Sequence, residues 1–292
     1  MAPNRRHASI KDAVVLLIWL LALQFVLGGI LWVVTVSFNL PRMGALGAAV
    51  VNLLAAARVL TWGLRRSGMS FGEMFPLTPV RPSLFVPMTI TIAGLSIVLS
   101  EVDNIFRTFV PFPDWLAQGF RDIGSGYWDS ILALVIVAPL TEEFLFRGLF
   151  LQGFLSHYTV PKAMIASALL FGIGHLNPWQ GLPAIFGGIL FAWWFVQTRS
   201  LVPCLFGHAL WNGLPILIAL VFQLEIPGYT SVEFDKVQHQ PLWFDLLGLV
   251  LLSVGVWLFA KMSREMGTVT EPSPATPQAA TDNGAPGDLD GR

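Results

Sequence analysis

Polar side chains within long apolar stretches are the first candidates for chemistry, because ionisable groups inside a membrane span are costly and rarely kept without a function. The clearest of them form three groups. These are Glu142, Glu143 and Arg147, then His175, and finally His208 with Asn212. Carboxylates and imidazoles can activate a water molecule, and imidazoles and carboxamides can stabilise an oxyanion. Hydrolysis is therefore one interpretation, and a structural network between helices is the other.

The first group combines an expected ion pair with an unpaired acid. Residues four apart lie on one face of a helix, and glutamate followed by arginine at this spacing is the favourable order. Glu143 is therefore expected to pair with Arg147. Glu142 points about 100° away around the helix and lacks that partner, which leaves it free to act as a general base. A buried network of all three charges would explain these residues equally well.

The other two groups are histidines on separate apolar stretches. His208 and Asn212 are four residues apart and share a helix face, where they suit orienting a water molecule or binding an oxyanion. Either residue alone also suits a hydrogen bond between helices. His175 follows Gly172 and Gly174, which permit close approach of helices, and by itself it is typical of a structural or interfacial histidine.

Long apolar stretches must position these residues. Of the 292 residues, 54% are hydrophobic and 12% are charged, about half the charged share of soluble domains. A bilayer core of roughly 30 Å takes about 20 helical residues, and its backbone groups must be bonded internally. The sequence therefore predicts an all-α fold, a polytopic membrane bundle of about eight transmembrane helices. The predicted spans are residues 13–36, 43–64, 84–100, 128–155, 162–176, 181–198, 200–222 and 241–261.

The distribution of basic residues indicates the orientation, because positive charge is retained on the cytoplasmic side. With the N-terminus inside, the cytoplasmic ends and loops hold Arg5, Arg6, Lys11, Arg65, Arg66, Arg81, Lys162, Arg199, Lys261 and Arg264. The opposite side holds only Arg42, Arg107, Arg121 and Lys236. An even number of spans with both termini in the cytoplasm is therefore expected.

The same patterns divide the chain and exclude some functions. The expected parts are a cytoplasmic segment at 1–12, N-terminal helices and loops at 13–127, a core that carries the chemistry at 128–222, an outer loop and last helix at 223–264, and a disordered cytoplasmic tail at 265–292. A net charge of −1 offers no basic surface for nucleic acid. The single cysteine, Cys204, excludes an intrachain disulfide and any multi-cysteine metal site, and its apolar surroundings suit a packed thiol.

The polar groups are predicted to lie at similar depths in their helices. Counted from the cytoplasmic helix ends at about 1.5 Å per residue, Glu142 lies roughly 15 Å deep and His175 roughly 20 Å deep. The same count gives roughly 14 Å for His208 and roughly 20 Å for Asn212. Three helices thus place polar groups in one layer of an apolar bundle, which chance explains poorly.

Three motifs on these helices occur in the order found in a known family. They are EExxxR at Glu142, Glu143 and Arg147, FxxxH at Phe171 and His175, and HxxxN at His208 and Asn212. Residues 128–222 thereby resemble the CAAX-protease and bacteriocin-processing (CPBP) family of intramembrane endopeptidases, relatives of the type II CAAX prenyl endopeptidase. The resemblance implies an eight-helix bundle in which Glu142 and His175 activate a water molecule. It also implies that His208 and Asn212 help to bind the oxyanion.

Further expectations follow from the resemblance. Glu143 and Arg147 would be architectural, in agreement with their spacing, and no cofactor or metal would be needed. The partners would be the lipid bilayer and a membrane-associated peptide or protein substrate. The chain would be an integral protein of a bacterial cytoplasmic membrane, and prenylated proteins would then not be its native substrates.

Two alternatives stay open at the level of sequence. Glu142, His175 and His208 form an acceptable set of zinc ligands, although the chain has no HExxH motif and asparagine is an unusual fourth ligand. A zinc-dependent membrane metalloprotease is therefore the first alternative. The second is a non-catalytic membrane scaffold or transporter component that uses the polar layer for helix association.

Overall fold

A computed structural model describes residues 7–40, 44–124, 127–220, 222–230 and 236–267 of the chain. Helix accounts for 81% of these residues, and no strand occurs among them. The helices are α1 (Ile10–Ser37), α2 (Gly44–Ser67), α3 (Phe71–Met74), α4 (Phe85–Phe109, entered through a 3₁₀ turn at Pro82–Leu84), α5 (Asp114–Gly124), α6 (residues 127–155), α7 (Val160–Gly174), α8 (Pro178–Thr198), α9 (Val202–Leu220) and α10 (Leu242–Gly267).

The predicted all-α membrane bundle is confirmed. Five helices are long and apolar enough to cross a membrane, and they are Ile10–Ser37, Gly44–Ser67, Pro82–Phe109, Pro178–Thr198 and Leu242–Glu265. Two shorter apolar helices, α7 and α9, and the composite α6 bring the number to the predicted eight. Part of the predicted tail, from residue 268 onward, lies outside the described residues.

One helix is longer than its apolar stretch. The predicted third span stops at residue 100, whereas α4 continues to Phe109. Its last, polar turns contact the loop that precedes α10. Asn104 Nδ2 donates to the Gly228 carbonyl at 2.8 Å, and the Gln240 N–H donates to Glu101 at 2.9 Å. These contacts with the loop accompany the extra turns of α4. A hydropathy pattern does not reveal such contacts.

The helix α6 carries an unusual backbone. It consists of α-helical Tyr127–Ile131, π-helical Leu132–Val137, α-helical Ala138–Glu143, π-helical Phe144–Leu151 and α-helical Gln152–Leu155. In the first π segment the Ala138 N–H donates to the carbonyl of Ala133, five residues earlier. Such turns are rare and are often found at functional sites. Here they flank the short α-helical segment that contains Glu142.

Small residues bring α7 and α8 into close contact. A Cβ atom on Gly172 would lie 2.7 Å from the Gly181 carbonyl oxygen, and one on Gly188 would lie 2.9 Å from the Ala168 Cα. The two backbones therefore leave no room for larger residues at these points. The contact fixes the end of α7, where His175 is located.

The turn after α7 is also tightly held. Leu176 has a left-handed φ of 57°, which is unfavourable for a leucine. Asn177 begins α8, where its side chain accepts from the Gln180 N–H at 2.9 Å and donates to the His175 carbonyl at 2.9 Å. The backbone of His175 is thus fixed on both sides.

Candidate active site

A buried ion pair lies at the centre of the site. Arg147 Nη1 donates to Glu143 Oε1 at 2.9 Å, and neither side chain is exposed. The pair expected from the spacing is therefore formed. His208 Nδ1 contacts the same carboxylate oxygen at 2.7 Å, while Arg147 Nη2 donates to the Gly188 carbonyl at 3.2 Å. Glu143 consequently links α6 to α9, and Arg147 links α6 to α8.

Aromatic rings enclose this pair. The guanidinium of Arg147 lies 4.7 Å from the ring centre of Phe171 and 5.4 Å from that of Phe191. The Phe191 ring also stacks on His208, with centres 5.6 Å apart. Within the described part of the chain, Glu143 Oε2 and Arg147 Nε have no hydrogen-bond partner. Because burying charges with incomplete hydrogen bonding is costly, stability alone explains this network poorly.

Hydrogen bonds define which ring nitrogens are available for chemistry. His175 Nδ1 lies 2.9 Å from the Phe171 carbonyl, which can only accept, so this nitrogen carries the proton. In the neutral ring Nε2 is then an acceptor. His208 Nδ1 faces the carboxylate of Glu143 in the same way, and its Nε2 lies 3.7 Å from Glu142 Oε2. That separation exceeds a direct hydrogen bond but keeps the imidazole and the carboxylate in close electrostatic contact.

Glu142 faces a small cavity, although the adjacent Glu143 is sealed from solvent. Its side chain is 25% exposed. This glutamate cavity measures about 90 Å³. The polar residues that line it are Glu142, His175, Thr141 and two others, Gln24 of α1 and Asn52 of α2. The polar layer therefore extends into α1 and α2, beyond the three helices that the sequence motifs identify.

A second cavity also borders His175. This aromatic cavity, of about 200 Å³, is lined by His175, His208 and Asn212, and its walls also include Phe171, Trp179, Gln180, Pro183, Ala184, Phe191 and Trp211. Both cavities share His175 and Phe171. Asn212 Nδ2 donates to the carbonyl of Leu134 in the first π segment at 2.7 Å, which fixes the amide and leaves its second N–H for another acceptor.

The structure adds polar residues that the sequence analysis did not select. Gln24 and Asn52 carry no charge and belong to none of the three motifs, so charge and motif spacing do not reveal them. Extending the depth count to carboxamides in the first two spans would have found them, because each lies roughly 20 Å from the helix end predicted to face the cytoplasm. The contact between Glu143 and His208 was also missed, since it joins residues 65 positions apart.

Other candidate residues have structural surroundings. Cys204 is buried and its thiol donates to the Phe191 carbonyl at 3.2 Å, as expected for a packed thiol. Among the described residues, no group of three or more His, Cys, Asp or Glu side chains has the arrangement of a metal site. The zinc alternative therefore has no preformed ligand set in this part of the chain.

Comparison with known proteins identifies the same segment. Residues 124–214 match the family model described as type II CAAX prenyl endopeptidase Rce1-like. The match includes every motif residue, and the resemblance to CPBP membrane proteases is thereby confirmed. No curated protein and no solved structure matches the chain. The segment that contains the candidate site is therefore similar to a family of proteases, and the apolar helices make the chain an integral membrane protein.

Proposed function

We propose that this protein is an intramembrane endopeptidase that hydrolyses a peptide bond with a water molecule activated by Glu142 and His175. One observation supports this function above the others: Glu142 and His175 line one cavity, and His175 also lines the next, together with His208 and Asn212. A nucleophile held by Glu142 and His175 would thus lie next to a carbonyl group bound in the cavity that His175 also lines.

The proposed reaction begins with proton transfer from water to the Glu142 carboxylate. His175 Nε2 accepts a hydrogen bond from the same water and orients it, because its Nδ1 proton is held by the Phe171 carbonyl. The water oxygen bonds to the scissile carbonyl carbon, whose oxygen becomes negatively charged. The C–N bond then breaks, and the proton held by Glu142 passes to the leaving amine.

Two residues of the aromatic cavity are proposed to bind the oxyanion. His208, as an imidazolium, donates from Nε2, and the buried carboxylate of Glu143 stabilises that cation through Nδ1. Asn212 offers the N–H that Leu134 does not use. In this scheme Glu143 and Arg147 do not touch the substrate, and they act by fixing His208 and packing α6 against α8 and α9.

The proposed substrate is a membrane-associated peptide or protein. The aromatic cavity is bordered by Trp179, Trp211 and Phe191, whose large rings suit the side chains of a peptide segment. The glutamate cavity is less than half as large. We therefore place the peptide in the aromatic cavity.

The function is tested by searching for new peptide termini. Wild-type protein and Glu142→Gln are reconstituted into liposomes and incubated with solubilised membrane proteins of the source organism, and cleavage products are identified by mass spectrometry. The glutamine keeps the size of the side chain but cannot accept a proton from water. We expect discrete cleavages with wild type and none with Glu142→Gln at equal thermal stability. Equal cleavage by both proteins would contradict the mechanism, and the absence of any cleavage would favour a scaffold.

A further inference from the structure

A directed chain of hydrogen bonds connects the first two helices to the catalytic segment. Gln24 Nε2 of α1 donates to Asn52 Oδ1 of α2 at 3.0 Å. Asn52 Nδ2 donates to Thr141 Oγ1 of α6 at 3.1 Å, and that hydroxyl donates to the Val137 carbonyl at 2.8 Å. The chain thus passes through Thr141, the residue that precedes Glu142, and ends on the Val137 carbonyl.

The two carboxamides keep unused hydrogen-bonding groups. In the described part of the chain, Gln24 Oε1 accepts no hydrogen bond, and each amide nitrogen has one N–H that makes none. Both side chains line the glutamate cavity together with Glu142 and His175. An acceptor and two donors are thus available on the side of the cavity formed by α1 and α2.

Helix association alone would not require this arrangement. Carboxamides often connect transmembrane helices, and in that role they lie at a sealed interface. Here they border a cavity whose other α1 residues are the leucines Leu17, Leu20 and Leu21. Unused polar groups facing an empty apolar space would be costly, whereas bound water would satisfy them.

The size of the cavity decides what it can hold. One water molecule needs roughly 10–15 Å³ measured in this way, so about 90 Å³ accommodates several molecules. The aromatic cavity, in which we place the peptide, is more than twice as large. The glutamate cavity therefore fits a small cluster of water molecules.

We infer that Gln24 and Asn52 form a water-binding site that holds the hydrolytic water beside Glu142. The carboxamides stay neutral and keep their donors and acceptors in fixed positions, so they can orient water without competing for its proton. They are positioning residues, with Glu142 and His175 performing the chemistry. The assignment of this water to hydrolysis rests on the proposed function. The inference that water is bound at this site does not.

The presence of water is tested without an activity assay, by X-ray radiolytic labelling in H₂¹⁸O. Phe146 lines the glutamate cavity, whereas Phe150 is fully buried one turn further along α6, with ring centres 5.5 Å apart. Bound water should make Phe146 oxidise about five times faster than Phe150. In the Gln24→Leu/Asn52→Leu double variant the ratio should fall, because only Glu142, His175 and Thr141 remain as polar groups of the cavity. Equal labelling in wild type, or an unchanged ratio in a stable double variant, would overturn the inference.

Kinetics then test the positioning role on a substrate found by the terminus search. Gln24→Met and Asn52→Leu should each lower kcat about ten- to a hundredfold, with KM changed less than about twofold. Ser253→Ala, which removes an exposed hydroxyl of α10, is the matched control and should leave both constants unchanged. The single variants also replace the double variant in the labelling experiment if that variant does not fold.

The outcomes separate the two proposals. If Glu142→Gln loses activity while Gln24→Met and Asn52→Leu keep the wild-type kcat, the water-site inference is overturned. The proposed function is then kept. Normal activity in Glu142→Gln would overturn the proposed function, and the labelling ratio would still decide whether the carboxamides hold water. A higher KM with unchanged kcat would assign the carboxamides to substrate binding and overturn the inference.

Discussion

At the scale of single residues, two adjacent glutamates of the same helix have opposite surroundings. Glu143 is sealed and bonded to Arg147 and His208, whereas Glu142 reaches a cavity. The i, i+4 spacing predicted which glutamate pairs with the arginine, because it depends only on helix geometry. It could not predict the contact with His208, which depends on how α6 and α9 pack together.

The buried ion pair leads to a prediction on stability. Arg147→Ala removes the main partner of a fully buried carboxylate and should lower the free energy of unfolding by about 3–5 kcal/mol. Arg66 is the matched control, because its contact with Asp12, at 3.8 Å, is largely exposed. Arg66→Ala should cost less than about 1 kcal/mol. Thermal unfolding in detergent and the yield of folded protein measure both effects, and equal melting temperatures would refute the proposed importance of the pair.

The catalytic assignments lead to a graded prediction on activity. His175→Ala should reduce cleavage to background, as expected for Glu142→Gln, because the water loses its second partner. Asn212→Ala should leave partial activity, since one oxyanion donor contributes about 3 kcal/mol, or roughly a hundredfold in rate. Initial rates at equal amounts of folded protein measure the difference. If Asn212→Ala lowered the rate as much as His175→Ala, its role would not be limited to one hydrogen bond to the oxyanion.

Chelation distinguishes a zinc-dependent metalloprotease from the glutamate mechanism. Under the glutamate mechanism, enzyme dialysed against a strong chelator should retain its activity, and elemental analysis should find no stoichiometric zinc. A metalloprotease would lose its nucleophile with the ion. Activity that is lost on chelation and restored specifically by zinc would support the metalloprotease.

At the scale of elements, the lengths of the apolar stretches predicted where the helices lie but not their local backbone geometry. Each predicted span corresponds to a helix, because a backbone in lipid must bond internally and the helix is the simplest solution. The π turns of α6 and the left-handed Leu176 were not predictable, since each depends on neighbouring elements. Residues 171–175 predicted close packing of helices, yet the pattern could not tell which glycine makes the contact.

The structure distinguishes these glycines and predicts different effects of substitution. In Gly172→Ala the new Cβ would lie 2.7 Å from a backbone oxygen of α8, which cannot move without separating the helices. We expect a loss of about 1–3 kcal/mol in stability. In Gly174→Ala the nearest atoms are side-chain carbons at 3.5 Å, so the change should be neutral or slightly stabilising. Thermal unfolding of the two variants provides the comparison, and equal stability would refute the close contact.

At the scale of the whole molecule, the sequence motifs identified only part of the polar layer. They located α6, α7 and α9, whereas the glutamate cavity is completed by α1 and α2. Gln24 and Asn52 belong to no motif, and their partners are distant in sequence, so only the packed bundle reveals them. Orientation in the membrane is a further property of the whole molecule, and for it the distribution of basic residues provides the prediction.

Single cysteines at exposed positions test this orientation in a Cys204→Ala variant. Ser156 in the loop between α6 and α7 and Arg264 near the end of α10 are predicted to face the cytoplasm, and Glu225 after α9 is predicted to face the opposite side. All three side chains are exposed and therefore accessible to a reagent on their own side. In intact cells an impermeant maleimide should label Glu225→Cys alone, and permeabilised cells, as the control, should show labelling of all three. Labelling of Arg264→Cys from outside would refute an even number of spans with both termini in the cytoplasm.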